Sequence, residues 1–332
     1  MATRDSLPKD KTADDLPNLL VLGPPSVFKP YKRQFSEKFR LIKPWESSIP
    51  LLKFLSTHAD SVQAVFLSAS CPVTTEILQV LPELRFIMTS SAGVNHIDLH
   101  ECKRHGVKVA NAGTIFSEDV ADMAVGLLID VLRRVGAANR YVKAGLWHQK
   151  GDYPLGHKLG DTDKRIGIVG MGSIGLEVAK RLSAFGCTIS YTSRNKKPHV
   201  TYPFCPDIQE LAANCEILII SCALTEQTRH MIDKRVMLAL GKDGIIVNIA
   251  RGAIINEKDL VQCLLRGEIA GAGLDVYENE PDVPEELFHL DNVVMTPHHT
   301  VFTEESARDL YELVVKNLDA FFSNKPLMFE VV

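Results

Sequence analysis

No apolar run in this 332-residue chain approaches the roughly 20 residues a helix needs to cross a bilayer, so no helical membrane span is expected. Basic charge is not in excess either. The 37 Lys and Arg stand against 41 Asp and Glu, a formal net charge of −4, whereas a phosphate backbone is bound by concentrated Lys and Arg. Nucleic acid is therefore not an expected partner. The seven cysteines (Cys71, Cys102, Cys187, Cys205, Cys215, Cys222, Cys263) are odd in number and form no Cys-x-x-Cys pair. A zinc site, a disulfide framework and a nucleophilic thiol are all disfavoured; reduced core cysteines in a reducing compartment are expected, and no metal. The first 18 residues lack the apolar stretch of a signal peptide, and the end, Phe329-Glu330-Val331-Val332, is not Ser-Lys-Leu. A cytosolic protein is the expectation.

What is present is the composition of a globular protein, 45% hydrophobic and 23% charged. The length suits two domains of roughly 100–200 residues each. Short apolar runs alternate with helical patterns throughout, the signature of parallel sheets built from βαβ units. The first series of expected strands lies at 19–22, 40–42, 62–67, 84–89 and 107–110, with amphipathic stretches at 49–58 and 74–80. After an expected connecting loop at 160–164, a second series lies at 165–169, 188–191, 217–221, 245–249, 271–275 and 293–295. Ser117 is placed to cap a helix with Glu118 and Asp119 in its first turn, and Val120, Met123, Ala124, Leu127, Leu128 and Val131 on one face. Thr303 opens another, with Leu310, Leu313, Val314, Leu318 and Phe321 apolar. These two helices, one between the series and one after both, suggest that the chain crosses between domains twice and that the C-terminal segment returns to the first domain; the alternative is that both pack on their nearest sheet.

The strongest motif is Gly170-Met171-Gly172-Ser173-Ile174-Gly175, set between the strand at 165–169 and a helical pattern at 176–185. Gly170 permits a tight turn, Gly172 lets the backbone approach a pyrophosphate, and Gly175 brings helix close to strand; the helix N-terminus offers unpaired N–H groups to the anion. With a second strand following, this reads as a dinucleotide-binding turn. An acid roughly 20 residues beyond the glycines would accept from the ribose 2′-OH of NAD(H). Here Thr192-Ser193-Arg194-Asn195-Lys196-Lys197 contains none. A hydroxyl, a guanidinium and lysines suit a 2′-phosphate, so NADP(H) is preferred over NAD(H).

Three further segments put polar residues at the C-terminal ends of expected strands, where α/β sheets bind ligands. They are Asn248-Ile249-Ala250-Arg251-Gly252, the stretch from Gly273 through Asp275 and Glu280 to Pro281, and Thr296-Pro297-His298-His299. Beside a nicotinamide, Arg251 could hold a substrate carboxylate, His298 could protonate a carbonyl oxygen, and Glu280 could keep that histidine protonated. Singly, each reads as an ordinary surface or loop residue. Jointly, downstream of the glycine turn, they read as a carbonyl-reduction site.

With these motifs in this order, the chain resembles the D-isomer-specific 2-hydroxyacid dehydrogenases from about residue 19 to its end. Ser-Arg-Asn at 193–195, Val-Leu-Arg-Arg at 131–134 and Lys-Pro-Leu at 325–327 carry a closer likeness to the plant-type NADPH-dependent hydroxypyruvate, glyoxylate and hydroxyphenylpyruvate reductases. The resemblance implies two Rossmann-like parallel-sheet domains, in an α/β fold. A substrate domain is formed by both chain ends (1–116 and 304–332), and a central domain (117–303) binds the dinucleotide. It implies Arg251, Glu280 and His298 as the catalytic set and cofactor contacts at Gly170, Met171, Gly172, Ser173, Ile174, Gly175, Ser193, Arg194, Asn195, Cys222, Ile249, Ala250, Arg251 and Asp275. It places the substrate carboxylate on Ser91, Ala92 and Gly93, with Arg251 and His298, and implies a homodimer in which Trp147 of one subunit reaches its partner's site. Two departures stand out: the loop at 89–98 is shorter than in plant-type members, and His299-Thr300-Val301 replaces the small residues usual after the histidine. The reading from another class is an NADP(H)-binding sensor with little turnover, which shares the trio and is separated from the enzyme only by turnover.

Overall fold

Residues 16–25, 27–68, 70–160 and 164–332 are described by a computed structural model. Most of the expected polar N-terminal segment, and the middle of the expected loop at 160–164, lie outside the described residues. The chain divides into two units: residues to Ile115 together with Thr303–Val332, and Phe116–Phe302.

The first unit alternates β1 (Asn18–Leu22), α1 (Phe28–Lys38), β2 (Arg40–Ile42), α2 (Leu51–Ser56), β3 (Ala64–Leu67), α3 (Thr75–Val80), β4 (Phe86–Thr89), α4 (Leu99–Arg104) and β5 (Lys108–Ala110). The second holds α5 (Ser117–Arg133), α6 (Val135–Lys143), α7 (Leu146–Lys150), β6 (Arg165–Val169), α8 (Ser173–Ala184), β7 (Thr188–Thr192), α9 (Ile208–Ala213), β8 (Ile217–Ile220), α10 (Lys234–Leu240), β9 (Ile245–Asn248), α11 (Glu257–Leu265), β10 (Gly271–Leu274) and β11 (Val293–Met295). The last helix, α12 (Glu304–Phe322), belongs to the first unit.

Every strand pairing within both sheets is parallel. The first sheet runs β2-β1-β3-β4-β5 and the second β11-β10-β9-β8-β6-β7. All residues of β3, β4, β8, β9 and β10 are buried. Helices on both faces bury a parallel strand on both sides, which is why these strands read as unbroken apolar runs. An isolated parallel bridge from Tyr191 to Phe204 extends the second sheet beyond β7. Counted with it, the order is that of a dinucleotide-binding sheet, whose direction reverses between β6 and β8.

In the first unit the chain's end is tied to β5: Val109 N–H donates to Val332 O and Val331 N–H to Val109 O. Asn317 on α12 is fully buried, donating to Met88 Sδ and accepting from Met328 N–H at 2.7 Å. These bonds within one unit account for the return of the C-terminal segment. Thr303 caps α12 by accepting from Ser306 N–H. The expectation for Ser117 is corrected. Ser117 is the first helical residue of α5, buried and without a capping bond, and Phe116 occupies the cap position. Burial of Phe116 and Ser117 sets this helix entry in place of a side-chain cap.

Candidate active site

At the reversal point of the second sheet, β6 ends at Val169 and the chain turns through Gly170 at φ 102°, a left-handed conformation that favours glycine. Gly170 N–H donates to Thr192 O (2.8 Å), and a Cβ at Gly170 would stand 2.6 Å from the backbone of Cys222. A Cβ at Gly175 would collide with the Gly170 carbonyl oxygen, so α8 lies against the turn only because that position is glycine. Ser221, just after β8, donates its hydroxyl to the same carbonyl at 2.8 Å. Apart from its own chain neighbours, no described residue comes within 4 Å of where a Gly172 Cβ would stand, leaving open space at the N-terminal end of α8. That helix begins at Ser173, earlier than expected, so Ser173, Ile174 and Gly175 form its first turn.

Beyond β7, Ser193 donates to Asn195 O (2.7 Å), and Lys197 N–H donates to the Tyr191 hydroxyl (2.9 Å). Arg194, Asn195, Lys196 and Lys197 are exposed on the loop so formed. Burial pushes the Cys222 thiol up to about 11, so it stays neutral and fills space beside Gly170 rather than acting as a nucleophile.

The ends of β9, β10 and β11 converge. Asn248, fully buried, donates to Arg251 O (3.1 Å) and accepts from Ala250 N–H (3.1 Å), closing the turn that presents Arg251. Ile249 and Ala250 are buried within that turn, and Arg251 Nη1 donates to Ala250 O at 2.6 Å. A Cβ at Gly252 would collide with the backbone of Tyr277 and Glu278, so the Arg251 turn packs directly on the segment carrying Glu280. Burial lowers the Arg251 pKa, against the raising effect of the Glu280 charge.

Glu280 accepts from Tyr277 N–H through Oε1 (3.1 Å) and from His298 Nδ1–H through Oε2 (2.7 Å). Burial pushes the Glu280 carboxyl up. The bonds from His298 and Tyr277 and the charges of His298 and Arg251 outweigh it, holding the group below the usual carboxylate value. His298 sits at φ 50°, a left-handed conformation for a non-glycine residue, of the sort that recurs at functional sites. Its N–H donates to Asp275 O at 2.8 Å. With Nδ1 committed to Glu280, Nε2 is the atom left for chemistry.

Asp275 is almost fully buried. Its Oδ1 accepts from the Thr296 hydroxyl (2.6 Å) and His299 N–H (3.0 Å), while Oδ2 has no hydrogen-bond partner among the described residues. A buried carboxylate oxygen is seldom left unpaired, and an amide donor from a bound group would satisfy it. The open space at Gly172, the start of α8 and this oxygen together fit a dinucleotide. No cluster of three or more His, Cys, Asp or Glu among the described residues is placed to hold a metal.

In the first unit, Ser91 donates its hydroxyl to Gly93 O (2.6 Å), Thr89 lies 3.0 Å from that hydroxyl, and Asn111 donates to Ala92 O (2.6 Å). The 90–94 loop is thus braced from both sides. Trp147, on α7, is 63% exposed, and Leu155 is 93% exposed. Cys71, Cys205 and Cys222 are only partly buried, and all seven cysteines are free. Asn248, Ser221, Tyr277 and Thr296 shape the site without having been assigned roles from sequence; the signal available for Asn248 was its place in the Asn-Ile-Ala-Arg-Gly run.

The family described as "D-isomer specific 2-hydroxyacid dehydrogenase, NAD binding domain" matches residues 125–300. The chain belongs to that family. It is 49% identical over 315 residues to a glyoxylate/hydroxypyruvate reductase of Arabidopsis thaliana, covering 95% of this chain and 97% of the relative. It is 41% identical to hydroxyphenylpyruvate reductase of Plectranthus scutellarioides, covering 95% and 98%. Among solved structures, an NADPH-dependent glyoxylate/hydroxypyruvate reductase from Sinorhizobium meliloti, in complex with NADP and malonate, superposes with a TM-score of 0.87 at 30% identity, covering 95% and 97%. The second unit is accordingly a pyridine-nucleotide-binding domain of this oxidoreductase family, and both sheets are those of its α/β fold. No helix among the described residues is long and apolar enough to cross a membrane.

Proposed function

We propose that this chain reduces a small 2-oxo acid (hydroxypyruvate, glyoxylate or hydroxyphenylpyruvate) to the D-2-hydroxy acid, using NADPH in preference to NADH. The observation that carries the proposal is the 2.7 Å bond from His298 Nδ1 to Glu280, held at the same strand ends as Arg251. When bound, NADPH supplies the hydride that reaches carbon 2 of the acid. The amides of Gly170–Gly175 and the start of α8 hold the pyrophosphate, and Ser193, Arg194 and Asn195 take the 2′-phosphate. Cys222, Ile249, Ala250 and Asp275 would bound the nicotinamide end, where the Asp275 carboxylate offers an acceptor. Arg251 binds the substrate with a planar fork of donors. His298 Nε2 delivers a proton to the carbonyl oxygen, while the Glu280 carboxylate fixes the ring and offsets its positive charge.

In the first unit, the amides of Ala92 and Gly93, braced by Ser91 and Asn111, are assigned to the substrate carboxylate. The exposed Trp147 and Leu155 suit a contact with a second copy of the chain, in a homodimer. Seven free cysteines suit a reducing compartment such as the cytosol. The test is a ranking of kcat/KM for the three acids with each cofactor, with chiral analysis of the product. A D-product with higher kcat/KM for NADPH is expected. An L-product would contradict the proposal, and tight NADPH binding without turnover would make the chain a cofactor-responsive binding module instead.

A further inference from the structure

A second histidine–carboxylate pair stands apart from the trio. His230, in the segment between β8 and α10, adopts φ 52°. Its backbone N–H donates to Ala253 O at 2.9 Å, inside the turn that follows Arg251. Two residues on, Ile232 N–H donates to Ile254 O and Asn256 N–H returns a bond to Ile232 O, a short parallel bridge that registers the two segments. The His230 ring takes the other direction, its Nε2 donating to Glu278 Oε1 at 2.7 Å. Glu278 is two residues from Glu280, and its N–H is held by Glu257 Oε1 at 3.1 Å. One residue therefore bonds to the Arg251 turn through its backbone and to the Glu280 segment through its ring. The two segments also touch each other through Gly252, where no side chain could fit.

We propose that His230 is a positioning residue that fixes the spacing between the Arg251 turn and the Glu280 segment. The inference rests on the reading of Arg251, Glu280 and His298 as the catalytic set. His230 and Glu278 keep 39% and 22% of their side-chain surface exposed, and an ion pair so placed adds little to stability. What the pair does add is a fixed distance between two loops that come from remote parts of the chain. Misplacing reacting groups by about 1 Å can cost about 100-fold in rate.

The experiment compares wild type with H230A, H230Q, E278A and the H230A/E278A double variant, measuring kcat and KM for hydroxypyruvate and the Kd of NADPH by fluorescence. Loss of the ring bond should lower kcat by about 10- to 100-fold while the NADPH Kd stays within about twofold, since the glycine turn is untouched. H230Q, which keeps a donor near the position of Nε2, should recover most of the loss. The double variant should be no worse than H230A, because both remove one bond. E278A leaves the His230 backbone bond in place, so it carries the same expectation should H230A fail to fold. Wild-type kcat in E278A, or fully additive losses in the double variant, would overturn the proposal. E280Q in the same assay separates the two readings. If E280Q loses activity and E278A does not, the positioning role fails alone; if E280Q is also unimpaired, the catalytic assignment fails.

Discussion

At the scale of single residues the site is a set of charges whose states are set by neighbours. Glu280 has a folded pKa below its ordinary value of 4.5, burial being outweighed by His298, Tyr277 and Arg251. A carboxyl depressed in this way contributes stability that is present above the unfolded value and is lost as pH falls through the folded one. Thermal melts of wild type and E280Q across the acid range should therefore show the larger acid loss in wild type; equal losses would mean that the pair contributes nothing to folding. On the proposed function, Arg251 acts through geometry as much as charge. R251K retains the charge but not the planar fork, and should lose most of kcat/KM, whereas near-normal kinetics would make this arginine structural. Of these groups, Arg251, Glu280, His298 and Asp275 were legible as motif residues. The Asp275 oxygen left without a partner among the described residues and the left-handed His298 were not, since both depend on the bonds that Asp275 makes with Thr296, His298 and His299 just beyond β10 and β11.

At the scale of elements, the sequence pattern located all the strands of both sheets and missed where several begin. The apolar runs at β8 and β9 are unmistakable because both faces of those strands are covered. Helix α1 was invisible as a periodic pattern because it buries only Phe28 and Phe35 among lysines, an arginine and a glutamate. The pairing of His230 with Glu278 spans 48 positions and could not be read from either segment alone. On the proposed function, the loop after β7 sets the choice of cofactor. Its exposed Arg194 and lysines, with no acid at its start, should favour NADPH by about 10- to 100-fold, as one charge-assisted bond of about 1.5–3 kcal/mol would. Measuring kcat/KM for both cofactors in wild type, S193D and R194A tests this. S193D should shift preference toward NADH through repulsion of the phosphate. A wild type that prefers NADH, or an R194A variant with an unchanged ratio, would refute the loop's role.

At the scale of the whole molecule, two α/β units share the chain, and the C-terminal segment completes the first by pairing along β5 and burying Asn317. The placement of α12 after both strand series suggests that return and equally allows a helix packed on its nearest sheet. The bonds that secure the return were not legible, because Asn317 looks like any polar helical residue until its partners are known. The family matches residues 125–300, and the likeness to glyoxylate/hydroxypyruvate reductases covers 95% of the chain; the proposed function turns on one chemical act, proton delivery by His298 as the carbonyl is reduced. The most direct test follows NADPH oxidation with hydroxypyruvate in wild type and H298A, with the NADPH Kd measured in parallel. Steady turnover in wild type and a fall in kcat of about 10²- to 10⁴-fold in H298A, at unchanged NADPH affinity, is the predicted result. Undiminished kcat in H298A would contradict it.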